Sequence, residues 1–246
     1  MGKMRLDQRV VELGLAESRE KAQRLIRAGA VKVNARVETK PSHAVSETDV
    51  LLLVEQERFV SRGGEKLEAA FRHFGLEVAG AVCLDVGAST GGFTDCLLQH
   101  GAARVYAVDV GKGQLHWKLR TDPRVVVLDG VNARYLKPSD LPEPPAFATV
   151  DVSFISLTKI LPAVTQVLAS GGRIVSLIKP QFEAGRDEVG KGGVVRDPAV
   201  REEVVERVRR FGAEQMGLEW IGVCPSPLEG PAGNVEFLAL WKKSGT

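Results

Sequence analysis

Apolar positions recur every three or four residues at the start of the chain and then switch to every second residue, so helices give way to a sheet within the first fifty residues. Leu6, Val10 and Leu13 fall on one helical face. Ser18 caps a second helix whose inner face is Ala22, Leu25 and Ile26 and whose left-handed stop is Gly29. Val31, Val33 and Val37, with a turn at Asn34-Ala35, then alternate as strands do, and residues 50–54 form an apolar strand. This pattern predicts a small α+β domain over residues 1–54, a charged link over 55–60, and a second domain over 61–246.

The second domain opens with a helix whose Leu67, Ala70, Phe71 and Phe74 share a face. Strands are expected at 82–86, 105–110, 125–128, 148–152 and 173–178, with helices at 93–99 and 156–168, the latter kinked or delayed by Pro162. Asp197 and Pro198 open a helix with Val200, Val204, Val208 and Phe211 on one side. The segments GLEWIGVCPSP and NVEFLALW read as an antiparallel strand pair. The fold class is therefore α/β: a Rossmann-like domain with a mostly parallel sheet and an antiparallel C-terminal strand pair, preceded by the α+β domain.

Among 246 residues, 44% hydrophobic and 26% charged content excludes wholesale disorder. No apolar run approaches the length of a membrane span, no long run of alternating amphipathic strands suggests a pore, and the amino terminus is too charged for a signal peptide. A cytoplasmic protein without a membrane partner is expected. Cys83, Cys96 and Cys224 form no CxxC pair and read as reduced apolar thiols, with no metal expected. The net charge of +2 hides an asymmetry, because residues 1–40 carry ten Lys and Arg against five Asp and Glu. Arg5, Arg19, Arg24, Arg27, Lys32 and Arg36, with Arg62 at the start of the second domain, are the candidate phosphate contacts; a solvated basic face is the plainer alternative.

The first strand of the α/β domain runs into CLDVGASTGGFTD, a glycine loop opening a helix. Its G-x-x-x-G-G spacing differs from the loop that seats a pyrophosphate, and Asp85 just ahead of it would repel a dianion while favouring a cationic ligand. S-adenosylmethionine, with ammonium and sulfonium groups, is such a ligand. Gly87, Ser89, Gly91 and Phe93 of this loop are its candidate contacts. Asp109, 24 residues beyond Asp85 at the end of the second strand, is placed to accept from ribose hydroxyls, and Asp129 at the end of the third to meet the adenine amino group. Asp151 and Lys179 end the fourth and fifth strands, over the carboxyl edge where α/β folds bind ligands. Glu236, inside an apolar run, needs a cationic partner.

Two resemblances sharpen this reading. Arg5-Leu6-Asp7, Gly14, Ser18-Arg19, Leu25-Ile26, Gly29, Val33-Asn34 and Lys40-Pro41 resemble the αL RNA-binding motif of a small-subunit ribosomal protein, with Ala35 where a glycine would suit the turn better. Lys66, Asp151, Lys179 and Glu236 resemble in type and order the Lys-Asp-Lys-Glu set of FtsJ-like ribose 2′-O-methyltransferases. With SRGGEKL, LDVGASTGGFTD, VDVSFISL, LIKPQFEAG and GPAGNVEFL, the whole chain resembles the TlyA family, also called haemolysin A. The resemblance implies S-adenosylmethionine-dependent methylation of cytidine riboses in 23S and, in some members, 16S rRNA, with the four residues as the catalytic set and ribosomal subunits as partners. The short termini lean toward the narrower range. The link residues Arg58-Phe59-Val60-Ser61 depart from the tryptophan-containing tetrapeptide of some members. The oligomeric state is not legible.

A base N-methyltransferase is the rival enzyme, but Asp151-Val152-Ser153-Phe154 lacks the prolines of its acceptor loop. A non-catalytic RNA-binding or ribosome assembly factor that retains the fold is the rival outside catalysis. The glycine-rich segment 181–197 reads either as a lid or as a plain loop.

Overall fold

The computed structural model describes residues 3–54 and 58–245, so residues 55–57 of the expected link lie outside the described residues. The chain divides into two compact units at Arg58/Phe59. In the first, β1 (Met4–Arg5) leads into α1 (Leu6–Glu12), followed by α2 (Arg19–Arg27), β2 (Val31–Val33), β3 (Arg36–Val37), β4 (Ala44–Val45) and β5 (Leu51–Leu53). β2 is flanked by β3 and β5, both antiparallel to it, and β1 pairs with β4. Leu6, Val10, Ala22, Ile26, Val31, Val45 and Leu51 form the core. Leu13 is not among them. Gly14 turns the chain with φ +69°, Leu15 N–H donates back to Val10 O, and Leu15 packs against the core while Leu13 is left exposed. Ser18 caps α2 by accepting from Lys21 N–H at 3.2 Å.

The second unit contains α3 (Gly63–Phe74), β6 (Val82–Val86), α4 (Gly92–Gln99), β7 (Arg104–Asp109), α5 (Trp117–Arg120), β8 (Val125–Asp129), β9 (Phe147–Val150), α6 (Leu161–Val167), β10 (Arg173–Ile178), α7 (Pro180–Glu183), α8 (Pro198–Arg210), β11 (Leu218–Pro225) and β12 (Phe237–Lys243). Pro162 delays α6: residues Leu157–Lys159 form a 3-10 turn, and the helix proper starts with the proline in its first turn, where a missing N–H costs nothing. Asp197 accepts from Ala199 N–H at 2.9 Å and starts α8.

The sheet order is β8-β7-β6-β9-β10-β12-β11, with β12 antiparallel to both neighbours and the other pairings of the central strands parallel. One face packs on Leu67, Phe71, Phe93 and Leu97 of α3 and α4; the other packs on Leu161, Val164, Val204 and Val208 of α6 and α8. Because connections lead outward in both directions from the β6/β9 pair, the chain ends after these two strands diverge and leave a crevice at the carboxyl edge. Segment 181–197 is tied down near its end. Buried Asn234 accepts from Val195 N–H at 3.0 Å and donates to Gly193 O at 2.9 Å.

Candidate active site

The glycine loop lies in this crevice, and its sequence follows from crowding. Gly87 has φ +83°, and a Cβ there would stand 2.1 Å from Asp151 O on the neighbouring strand end. Gly92 admits the close approach of α3 to the start of α4: a Cβ would meet Gly64 N at 2.7 Å. Ser89 also takes a positive φ, +49°, and its N–H donates to Asp109 Oδ2 at 2.8 Å. Asp109 Oδ1 accepts from Gly111 N–H at 2.7 Å.

Strand register brings the four charged residues together. Val86 pairs with Val150, so Asp151 follows β9 opposite Gly87; Ile178 pairs with Phe237, so Lys179 and Glu236 extend adjacent antiparallel strands. Lys66 enters from the first turn of α3 and donates to Glu236 Oε2 at 2.6 Å. Lys179 Nζ lies 2.5 Å from Asp151 Oδ1, an ion pair without hydrogen-bond alignment, and donates to Ser153 Oγ at 3.0 Å. Both lysines are 9% exposed and Glu236 is 1% exposed. Glu236 Oε1 is buried without a hydrogen-bond partner among the described residues, an acceptor that a bound group could satisfy. All four residues line one cavity of about 620 Å³ with Gly87, Ser89, Phe93 and Arg62.

A second cavity of about 440 Å³ adjoins it, since Gly87, Ser89, Asp151 and Ser153 line both. Asp109 lines this one together with Gln114, Asn132 and Ile155. Two of the strand-end carboxylates lie outside both cavities. Asp129 lines neither cavity: Arg120 Nη1 at 2.9 Å and Gly113 N–H at 3.1 Å hold it, and the Arg120 guanidinium lowers its carboxyl below the usual range. Asp85 lies fully buried and lines neither cavity, accepting from Thr94 Oγ1 at 2.6 Å and Thr149 Oγ1 at 2.9 Å; burial pushes its carboxyl up to about 6. Its two hydroxyl donors stabilise the anion only in part. Gly91 likewise supports the loop from below, where a Cβ would meet Leu119 Cδ1 at 2.2 Å.

Several residues were not anticipated. Asn132, in the string VNARYL just beyond Asp129, lines the second cavity. Ser153 pairs with Lys179. Phe154 is 90% exposed at φ +63°, on the rim of the second cavity, with its ring 5.1 Å from that of Phe182. An apolar ring held in water by a strained backbone is a feature for which packing offers no reason.

In the first unit, Arg24, Arg27 and Arg36 are exposed and Lys32 is half-buried. Arg5 and Arg19 converge instead on the fully buried Asp7, at 3.0 and 3.1 Å, beside Gln23 Nε2 at 2.7 Å. The hydrogen bonds from Arg5 hold the Asp7 carboxyl far below its usual range. Arg19 and Gln23 thus tie α2 to Asp7 of α1, while Arg5 braces the same carboxylate from the preceding strand; both guanidinium groups stay partly in water. Arg62 stands at the mouth of the larger cavity, donating weakly to Glu229 O at 3.5 Å.

The reversed strand order, the glycine loop at its switch point and the antiparallel last strands define the α/β fold of methyltransferases. The chain belongs to the FtsJ-like methyltransferase family, matched over residues 59–243, and its residues 4–51 match the S4 domain. The 16S/23S rRNA (cytidine-2′-O)-methyltransferase TlyA of Mycobacterium tuberculosis is 49% identical over 244 residues, covering 98% of this chain and 90% of its own. The 23S rRNA (cytidine-2′-O)-methyltransferase TlyA of Campylobacter jejuni is 34% identical, covering 76% of this chain and 72% of its own. A solved structure of a hemolysin-named protein from Streptococcus thermophilus superposes with a TM-score of 0.76 at 46% identity, covering 99% of this chain and 90% of that one. Among the described residues, no helix is long and apolar enough to cross a membrane.

Proposed function

We propose that this protein transfers a methyl group from S-adenosylmethionine to the ribose 2′-hydroxyl of cytidine in 23S rRNA, the target common to the names of both TlyA relatives. The observation that carries the proposal is the convergence of Lys66, Asp151, Lys179 and Glu236 on one cavity beside the glycine loop. The residues present fit the donor. The carboxylate of Asp109, oriented by two backbone N–H groups, suits a vicinal diol, and Asn132 and Gln114 offer amide groups to a base edge. Asp109 and Asp151 on the wall of the second cavity, which no Lys or Arg among the described residues lines, favour a cation over a pyrophosphate. When bound, S-adenosylmethionine supplies an electrophilic methyl on a sulfonium centre.

The chain's own groups then act on the hydroxyl. Lysine has three N–H donors. Ser153 accepts from Lys179 Nζ and Asp151 pairs with its charge, and an N–H direction left over serves the ribose oxygen, fixing its line of approach and stabilising the charge that develops there. Lys66, anchored by Glu236, adds a second cation beside the same cavity. Phe154 offers a face on which an extruded base can stack. The S4 domain, with Arg24, Arg27, Lys32 and Arg36 on its surface, and Arg62 contribute phosphate contacts to structured rRNA.

Ribosomal subunits from a strain lacking the gene, incubated with the protein and S-adenosylmethionine, should gain a ribose methyl at cytidine in the large subunit; the small subunit is mapped in parallel. Lys179→Ala should abolish transfer while donor affinity stays within about twofold. Methylation on a base, or donor binding without transfer to either subunit, would refute the assignment.

A further inference from the structure

Away from both cavities, the interface of α3 and α4 holds a second group of reactive side chains. Cys96 and His100 stand one turn apart at the end of α4, and Glu68 reaches them from α3. Glu68 Oε2 lies 2.7 Å from His100 Nε2, and Cys96 Sγ lies 3.9 Å from the same oxygen. The three ligand atoms all fall within 4.8 Å of one another. The ring of Phe71 stacks on the imidazole, with centroids 4.0 Å apart, and fixes its plane. Cys96 and Glu68 are buried and His100 is half-buried, so the group is open to solvent on one side. None of the three lines the cavities of the proposed methyl transfer.

We propose that Glu68, Cys96 and His100 form a binding site for zinc, with water as the fourth ligand. Tetrahedral zinc with bonds of about 2.0–2.3 Å sets its ligand atoms roughly 3.3–3.6 Å apart. Reaching that geometry requires the Glu68–His100 contact to open by about 0.6 Å, the sulfur–oxygen contact to close by a few tenths, and the Cys96 and His100 atoms, within 4.8 Å of each other, to draw to about 3.5 Å, movements that small rotations of the three side chains supply. Thiolate and imidazole together select zinc over magnesium or calcium, which take oxygen ligands. The thiol proton of Cys96 is released to solvent as the sulfur–metal bond forms, so affinity falls as pH is lowered. The ion bridges the helix that carries Lys66 and the helix that begins at the glycine loop. Since the ligands converge only in the folded chain, binding stabilises the fold.

The test uses the full chain, freed of metal with a chelator and titrated with Co²⁺ and then Zn²⁺. One equivalent of Co²⁺ should give a near-ultraviolet thiolate-to-cobalt charge-transfer band and tetrahedral visible bands, both lost when Zn²⁺ is added. Cys96→Ser and His100→Ala should each abolish them. Zinc at roughly a hundred times its Kd should lower the unfolded-to-folded ratio about a hundredfold. No charge-transfer band in the native chain, or a band that survives in folded His100→Ala, overturns the proposal. The His100 change is at a half-exposed site and keeps the test decisive where Cys96→Ser fails to fold. Neither result depends on the methyl-transfer assignment.

Discussion

Removing Glu236 leaves the Lys66 ammonium without its 2.6 Å partner in a place nearly closed to water, where the two side chains are 11% and 0% exposed. At an effective dielectric of about 20, two charges at this distance attract by roughly 6 kcal/mol, a gain largely offset by the cost of drying both groups. The surviving charge retains that cost, so Glu236→Ala should destabilise the fold by about 3–5 kcal/mol. For a unit of this size that is a fall in Tm of roughly 6–20 °C, measurable by calorimetry. The double variant Lys66→Met/Glu236→Leu carries no buried charge and should recover most of the loss. It should nevertheless remain inactive in the methylation assay, because the second cation is gone. A Glu236→Ala protein that melts within 2 °C of the parent would show that the pair is not held out of water. A methylating double variant would remove the pair from the chemistry.

Asp85 is pushed up to about 6, above the unfolded carboxyl value of about 4, so the folded state holds its proton more tightly and loses stability as pH rises from about 4 to 6. Asp85→Asn should therefore gain on the parent across that window and level off above it, by about 3 kcal/mol at most in denaturant titrations; a flat difference refutes the linkage. Ala35 adopts φ +69° in the two-residue turn between β2 and β3, and Ala35→Gly should stabilise the first unit by roughly 0.5–1 kcal/mol, with a lower midpoint counting against strain. Phe154→Ala should leave Tm within about 1 °C and raise the KM for rRNA roughly tenfold, as loss of one stacked base predicts; unchanged kinetics would remove the stacking role.

Local chemistry is legible in the linear chain. Hydrophobic period gave the helices and strands, Ser18, Asp197 and Pro162 marked where helices start, and the spacing of glycines marked the loop at the end of the first strand of the α/β domain. The period and capping signals lie within a dozen residues of one another and depend on local backbone geometry. Leu13 was misplaced because one glycine ended α1 a residue earlier than its period implied.

Which polar groups meet follows from packing between distant parts of the chain. Lys66 and Glu236 are 170 residues apart in the chain, yet strand register closes them to 2.6 Å. Asp85 and Asp129 look alike as strand-end acids, but one is sealed under two threonines and the other is paired with Arg120, while Asn132 lines the second cavity. The Glu68–Cys96–His100 group escaped the sequence for the same reason: the ligands sit on two helices, and only their packing brings Glu68 to the other two. A side chain's partner is set by three-dimensional register and burial, which no linear spacing encodes.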